Sequence, residues 1–272
     1  MDFKDLLYLA ALIAFSMGCR TFANRFIQKL GWLSLLGASY FAGWRLTGSH
    51  AGGVGAVLVW FLLPWLEIIG RIRHMRFPLQ NSVSHRFPPS RDDFPDLEAL
   101  TAEIEEEGFE EAEDTGWKWQ ETDHFMRLLY DPERRLQATI ALARQGPMAF
   151  SYVSLTSRLP DGESLITTSY PFSPTMRLAP GQRMNRMPQA DSFEDLLDGH
   201  LLFLEAQSLT AEDTVEQDLE TLPTILEEDM TRQIRHNLST GLIEQTSEEE
   251  FRYSWRGCFF LWIEVVKDML RV

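Results

Sequence analysis

The residues of this chain that could do chemistry are few and widely separated. Adjacent Asp123 and His124 have the side-chain types of a general acid–base pair. The residues around them read as a strand, and neighbours in a strand point to opposite faces. The pair is therefore badly placed to act together, and we expect both residues to be structural. The six histidines are scattered, at positions 50, 74, 85, 124, 200 and 236.

Sequence motifs that mark cofactor or nucleophile sites are also missing. The chain has no phosphate-binding glycine loop, dinucleotide fingerprint, nucleophile elbow or His/Glu zinc pattern. The glycine-rich run 52–55 lies inside an apolar segment, not after a strand. Cys19 and Cys258 are too few for a disulfide framework or a zinc cluster, and they fit a reducing compartment. The sequence predicts no cofactor and no metal, and it leaves any catalytic residue unknown.

One cluster of charged residues could bind a ligand. Arg177, Arg183 and Arg186 lie in a loop, 171–188, that is rich in Pro and Met. Guanidinium groups bind carboxylates and phosphates, so this loop could receive an anion or an acidic partner segment. The alternative is that these arginines pair with the protein's own carboxylates. A cleft around 171–190 would be the strongest indication of a site.

The charge of the chain is divided unevenly along its length. Up to Arg76 there are eight Lys and Arg against three Asp and Glu, whereas the remainder has 17 basic and 37 acidic residues. The net charge of the remainder is therefore −20. Such a surface repels a phosphate backbone, so we expect no nucleic-acid partner. The first 76 residues need a different interpretation.

Three apolar runs predict an N-terminal transmembrane segment of two or three helical spans, at about 6–27, 30–46 and 51–69. The last two read as a helical hairpin, with small residues spaced four apart on each helix. The first run is ambiguous. It is interpreted as a span, with an interfacial helix as the next choice and a cleaved signal as the least favoured.

Orientation follows from the basic residues that flank the apolar runs. Arg20, Arg25 and Lys29 follow the first run, and Arg71, Arg73, Arg76 and Arg86 follow the third. The stretch between the second and third runs offers only Arg45. The positive-inside rule then places the C-terminal domain in the cytoplasm. Glu67 is expected to pair with Arg71, four residues later. The residues expected to anchor the segment at the membrane interfaces are Trp32, Trp44, Trp65, Arg71, Arg73 and Arg76.

The remaining residues predict a linker, 77–95, and an acidic α+β domain, 96–272. We expect a helix at 96–107 and an antiparallel β-meander of four to five strands at 109–170. A helical part, 191–272, follows, with a small hairpin at 242–255. Its apolar stripes are expected to form core, with a coiled-coil partner as the rarer alternative. The last helix is apolar most of the way round, and we expect it to be buried in the domain.

Two functions fit this sequence. The favoured one is a multi-pass protein of the cell inner membrane, bacterial in general style, whose cytoplasmic domain is an interaction or regulatory module without catalysis. Its expected partners are the lipid bilayer and either a second protein or a second copy, through the spans or the helical stripe. The alternative is a membrane-anchored enzyme whose site has no recognisable local motif.

Overall fold

A computed structural model describes residues 2–22, 24–146 and 148–271. The chain forms two compact units. The helical unit contains residues 1–75 and 253–272, and the α+β unit contains residues 76–252. The helices are α1 (Phe3–Arg20), α2 (Arg25–Thr47), α3 (His50–Gly70), α4 (Leu97–Glu106), α5 (Phe193–Ala206), α6 (Leu222–Ser239) and α7 (Trp255–Arg271).

In the helical unit, α1 packs on α2, α2 on α3, and α3 on α7. The predicted first span, 6–27, is not a single helix: α1 ends at Arg20 and α2 begins at Arg25. The Asn24 side chain accepts a hydrogen bond from the backbone N–H of Phe26, at 2.9 Å, and so starts a new helix. Residue 23, inside the predicted span, lies outside the described residues.

Among the residues that the structure describes, one helix is long and apolar enough to cross a membrane: His50–His74, which joins α3 to a 3₁₀ turn at Ile72–His74. Only 11% of its most apolar stretch is buried inside the protein, so it is not covered as a core helix of a soluble protein would be. The sequence predicts two or three spans; α1 and α2 do not meet the same standard of length and composition. Lys4, Asp5 and Arg20 in α1, and polar residues throughout α2, lower their apolar character.

Helices α2 and α3 approach each other closely at Gly43. A Cβ atom there would collide with the backbone oxygen of Gly52 and lie 2.6 Å from the Cβ of Ala56. These are the small residues that predicted the hairpin. The turn between the helices is made by Gly48, whose φ of 67° suits glycine.

The last helix, α7, differs from its expected position. It packs on α3 of the helical unit instead of being buried in the α+β domain. The Trp262 indole N–H donates to the Phe61 carbonyl at 2.7 Å, and the Trp262 ring lies 6.0 Å from that of Trp65. The aromatic residues of α7 thus pack against aromatic residues of α3. The sequence pattern of α7 alone does not predict this contact.

The α+β unit is built on a seven-stranded sheet. Its strands are β2 (Ser84–His85), β3 (Glu110–Trp119), β4 (Thr122–Asp131), β5 (Leu136–Gln145), β6 (Met148–Arg158), β7 (Ser164–Thr168) and β8 (Gln182–Arg186), and they lie side by side in this order. All neighbouring pairs are antiparallel except β7 and β8, which are parallel. The predicted meander is confirmed with five strands, β3 to β7.

Helices cover both faces of this sheet. Leu97 and Ile104 of α4 and Phe193 of α5 pack with inward side chains of β4 to β6 in the larger core. Leu222 and Leu226 of α6 pack on the other face. Because side chains alternate along each strand, the same strands supply both cores. The stripes on α5 and α6 are therefore core faces.

Three segments differ from their sequence-based expectations. The expected loop 171–188 contains β8, and the expected linker 77–95 contains β1 (Phe77–Pro78) and β2. Residues 215–221 belong to the expected helical part, but they contain a 3₁₀ turn at Leu219–Thr221 instead of an α-helix, and α6 begins at Leu222. The expected hairpin is present as β9 (Ile243–Gln245) and β10 (Glu250–Tyr253), in a second sheet that β1 completes.

Candidate functional site

A cleft of about 310 Å³ lies where β6, β7 and β8 face α6 and the loop 171–178. Its floor is formed by two side chains from each of three adjacent chain segments, Tyr152 and Ser154, Thr168 and Tyr170, and Met184 and Arg186. Its walls include Phe172, Met176 and Leu178 of the loop and Gln233 of α6. The cleft lies entirely within the α+β unit.

The sheet register brings the floor residues together. Ser154 pairs with Thr168 across β6 and β7, and Thr168 pairs with Arg186 across β7 and β8. Residues two apart on a strand share a face, so Tyr152 and Met184 join the same surface. The parallel strand β8 is what carries Arg186 to this floor.

Aromatic rings make most of the apolar surface beside the cleft. The ring centroids of Tyr152 and Tyr170 lie 5.0 Å apart, and those of Tyr170 and Phe172 lie 5.7 Å apart. Phe150 and Phe172 are 5.3 Å apart with their planes at 90°. These are edge-to-face contacts, which favour one fixed arrangement of the rings.

Arg186 provides the positive charge of the cleft. Its Nε is buried and has no hydrogen-bond partner within the described chain. One terminal nitrogen donates only a long hydrogen bond, 3.4 Å, to the Pro171 carbonyl. A buried guanidinium N–H without an acceptor is costly, since the lost hydration is not replaced. The side chain therefore presents unused donors.

The other polar groups of the floor are already hydrogen-bonded or neutral. Ser154 Oγ donates to Thr168 Oγ1 at 2.7 Å, and Thr168 Oγ1 lies 3.2 Å from the Val153 carbonyl. Burial raises the pKa of Tyr152 to about 12. Burial also raises the pKa of Tyr170, against the opposing charge of Arg186. Both phenols stay protonated at neutral pH, and no carboxylate or histidine is among the described lining residues.

The loop that walls the cleft is fastened to α6 by Asn237, which is fully buried. The Asn237 side chain accepts from the Arg177 backbone N–H at 3.0 Å and donates to the Arg177 carbonyl at 2.8 Å. It also donates to the carbonyl of Gln233, a lining residue. These contacts hold the cleft in a formed state.

The three arginines of this region are not one cluster. Arg183 points away from the floor that carries Arg186, because their positions on β8 differ by an odd number. Arg183 pairs instead with Glu163 at 2.9 Å and Gln207 at 2.6 Å, which is the alternative that the acidic sequence suggested. Arg177 is positioned through its backbone. Only Arg186 lines the cleft.

The other candidate residues, Asp123 and His124, both line a second cleft of about 350 Å³, together with His85 and Arg144. Asp123 faces Arg144 at 3.6 Å, whereas the His124 ring stacks on Trp117 with centroids 4.4 Å apart. Burial lowers the pKa of His124, so its imidazole is neutral. Within the described residues, no group of three or more His, Cys, Asp or Glu side chains could hold a metal ion.

A second buried histidine links α5 to the sheet. His200 is fully buried, with Nε2 3.0 Å from Ser157 Oγ and Nδ1 2.9 Å from Thr167 Oγ1. Burial lowers the pKa of His200 to about 4. Both ring nitrogens are engaged by hydroxyls, so this group holds the core together and has no access to a ligand.

The tryptophans proposed as membrane anchors lie at the two ends of the α2–α3 hairpin. Trp32, near the start of α2, lies under the Arg20 guanidinium at 4.5 Å, and Trp65 lies near the end of α3. Trp44, near the turn, stacks on His50 with centroids 5.6 Å apart.

The arginines expected to act as membrane anchors follow α3. Arg71 pairs with Glu67 at 2.9 Å, as the i,i+4 spacing predicts. Arg73 donates to the Tyr253 carbonyl at 2.6 Å and lies 4.8 Å from the Trp255 ring. The Arg76 carbonyl accepts from the Trp119 indole at 2.9 Å, within the α+β unit.

The sequence pattern indicated the loop that walls the cleft but not the residues that form its floor. Tyr152, Ser154 and Thr168 lie on strands that were predicted, but nothing in their pattern marks a pocket. Asn237, in the last turn of α6, was also missed; a buried amide in an apolar stripe is the signal that could have drawn attention to it. Comparisons of the chain with protein-family models, curated proteins and solved structures found no significant match.

Proposed function

We propose that this protein is a membrane-tethered regulatory module whose acidic α+β domain binds a ligand in the cleft without converting it. The observation that carries this proposal is the composition of the cleft. It combines a preformed aromatic surface, one guanidinium with unsatisfied donors, and the hydroxyls of Ser154 and Thr168, which are bonded to each other. Pockets with apolar walls and a few placed polar groups are the common form of ligand site.

Membrane tethering is proposed from the helical unit. The helix His50–His74 has the length and composition of a span, and α2 packs closely against it. We propose that α2 and α3 cross the inner membrane as a hairpin, with α1 as a further span or an interfacial helix. Arg71, Arg73 and Arg76 follow the end of α3 that leads to the α+β unit, and this supports a cytoplasmic position for that unit.

The tethering proposal predicts that the full chain stays in the membrane fraction after carbonate washing and is released by detergent. A reporter that is active only outside the cytoplasm, fused after residue 272, should give no signal. The same reporter inserted at Gly48, in the turn between α2 and α3, should be active. Release by carbonate, or the opposite reporter pattern, would contradict the proposed topology.

An enzyme is the second candidate, since two tyrosines of raised pKa converge in the cleft. A protonated phenol can donate a proton, but none of the described lining residues can accept one at neutral pH. Binding without turnover needs no proton acceptor, so the lining residues that are present account for it.

The two candidates can be separated by screening the detergent-solubilised full chain against a broad panel of small molecules by thermal shift. Compounds that bind should be recovered chemically unchanged, as judged by mass spectrometry after prolonged incubation. Ser154→Phe, which fills the floor of the cleft, should abolish the shifts, while Ser151→Phe, at an exposed position of the same strand, should retain them. Conversion of a bound compound that Ser154→Phe abolishes would favour the enzyme.

A further inference from the structure

We infer that the ligand of the cleft is a small aromatic monocarboxylate, with its carboxylate on Arg186 and its ring among Tyr152, Tyr170 and Phe172. This inference rests on the proposed binding function and specifies its chemistry. It is carried by the position of a partly unsatisfied guanidinium at the edge of a cluster of aromatic rings.

The carboxylate is assigned from the donors of Arg186. A guanidinium presents parallel N–H groups that match the two oxygens of a carboxylate. In Arg186 the Nε–H has no acceptor in the described chain, and one terminal nitrogen has only the 3.4 Å contact to the Pro171 carbonyl. The Nε is buried, so a ligand carboxylate would accept from the terminal nitrogens of Arg186, and it would displace no short hydrogen bond of the protein.

The single negative charge is assigned from the charges that line the cleft. Arg186 is the only lining residue of the described chain that is charged at neutral pH, because Tyr152 and Tyr170 stay protonated. One guanidinium balances a monoanion. A phosphate dianion would need further cationic groups, and residues 77–272, with a net charge of −20, would repel the charge that remains unbalanced.

The aromatic body is assigned from the walls. Tyr152, Tyr170 and Phe172 already meet edge to face, and a flat ring can add to such a cluster by the same geometry. Met176 and Met184 adapt their shape to a flat ligand and make favourable contacts with ring edges. The volume, about 310 Å³, is at the lower end of ligand sites, which suits one ring with a short side chain.

The experiment is a calorimetric titration of the full chain in detergent micelles with matched pairs of acids and amides. The pairs are phenylacetate with phenylacetamide, and 3-phenylpropionate with 3-phenylpropionamide. Each pair keeps the ring and the shape and changes only the charge. We expect each acid to bind at least about ten-fold more tightly than its amide, the effect of one charge-assisted hydrogen-bonding group.

Variants of Arg186 assign the preference to its guanidinium. Arg186→Gln should weaken the acids at least about ten-fold and leave the amides unchanged, and Arg186→Lys should recover part of the loss, since it keeps the charge but not the fork. Arg183→Gln is the matched control, because Arg183 lies on the same strand but pairs with Glu163 and Gln207. Thermal unfolding of each variant establishes that it is folded.

The outcomes separate the ligand class from the proposed function. Amides that bind as tightly as acids, or acids that keep their affinity for folded Arg186→Gln, would overturn the carboxylate assignment and leave binding in the cleft intact. If neither acids nor amides bind, the ligand class is wrong, and the broad thermal-shift panel decides the function independently. Acid binding that is lost in both Arg186→Gln and Arg183→Gln would also overturn the assignment to Arg186.

Discussion

The two units of this protein differ in how far they bury apolar side chains of the same type. In the α+β unit Leu128, Leu129 and Leu155 are fully buried, whereas Leu62 and Leu66 of α3 are 50% and 66% exposed. Apolar side chains gain free energy by leaving water, and either a protein core or a lipid layer can receive them. Burial within the protein therefore stabilises the α+β unit, whereas α3 leaves apolar side chains uncovered and contacts α2 closely at small residues.

Buried and exposed ion pairs should show the largest contrast between the units. Arg127 of β4 is buried and makes two hydrogen bonds, 2.8 and 2.7 Å, to the buried carboxylate of Asp114. Arg127→Ala would leave Asp114 buried without its partner, so we expect a loss of about 3–5 kcal/mol in the free energy of unfolding.

The matched variant in the helical unit is Arg71→Ala, which removes the exposed pair with Glu67. Such pairs contribute about 0–1 kcal/mol, and urea titration of both variants in detergent should separate them clearly. Equal losses would show that the buried pair is not a major source of stability in the α+β unit.

Leucine truncation tests the same contrast with uncharged residues. Leu129→Ala removes a fully buried side chain from the larger core, and we expect it to cost about 2–5 kcal/mol. Leu62→Ala, at a half-exposed site on α3, should cost less than about 1 kcal/mol in detergent, because micelle surrounds that position in the folded and the partly unfolded chain. The urea midpoints of the two variants measure the difference. A cost at Leu62 equal to that at Leu129 would place Leu62 in a protein interface.

The contrast between the units also explains what could be predicted from the sequence. Alternation of side chains along β5, and turn residues such as Gly162 with a φ of 85°, are local signals, and they predict the meander. Ser192 is a local signal of the same kind, since its side chain accepts a hydrogen bond from the Asp195 N–H at the start of α5. These features depend on neighbours in the chain.

Non-local pairings could not be predicted in this way. The strand β8 forms because Gln182–Arg186 pairs with β7 in parallel, and its composition carries no strand signal. The position of α7 depends on its contact with α3, in which Trp262 bonds to a residue 201 positions earlier in the chain. The cleft needs both the β7–β8 register and the Asn237 contacts, so only the arginine loop could be suspected from the sequence.

Acid should destabilise the α+β unit in a window set by His200. Its pKa is about 4 when folded and about 6.5 when unfolded, so the unfolded chain binds the extra proton between these values. The stabilisation is full above pH 6.5 and is lost as the pH falls towards 4. At pH 5 the loss should be about 2 kcal/mol, from 1.36 kcal/mol per pH unit.

His124, whose pKa is also lowered by burial, adds to this loss with the same sign. Hydrogen bonds lower the pKa values of Asp93 and Asp213. These carboxylates therefore change the stability only below about pH 4, outside this window. Urea midpoints of the full chain from pH 7.5 to 4.5 measure the slope, and His200→Gln should reduce it. A midpoint that does not change with pH in wild type would show that His200 is accessible to protons in the folded protein.

Two glycines of α2 provide the smallest but most specific test of the helical unit. A Cβ at Gly37 meets nothing within 4 Å, so Gly37→Ala should stabilise the helix by about 0.5–1 kcal/mol through its higher helix propensity. A Cβ at Gly43 collides with the Gly52 backbone, which cannot move without separating α2 from α3. Gly43→Ala should therefore lower the thermal midpoint in detergent, although the propensity gain is the same. If both variants raise the midpoint, the hairpin does not have the close contact described for Gly43 and Gly52, and α2 has to pack on α3 in another register.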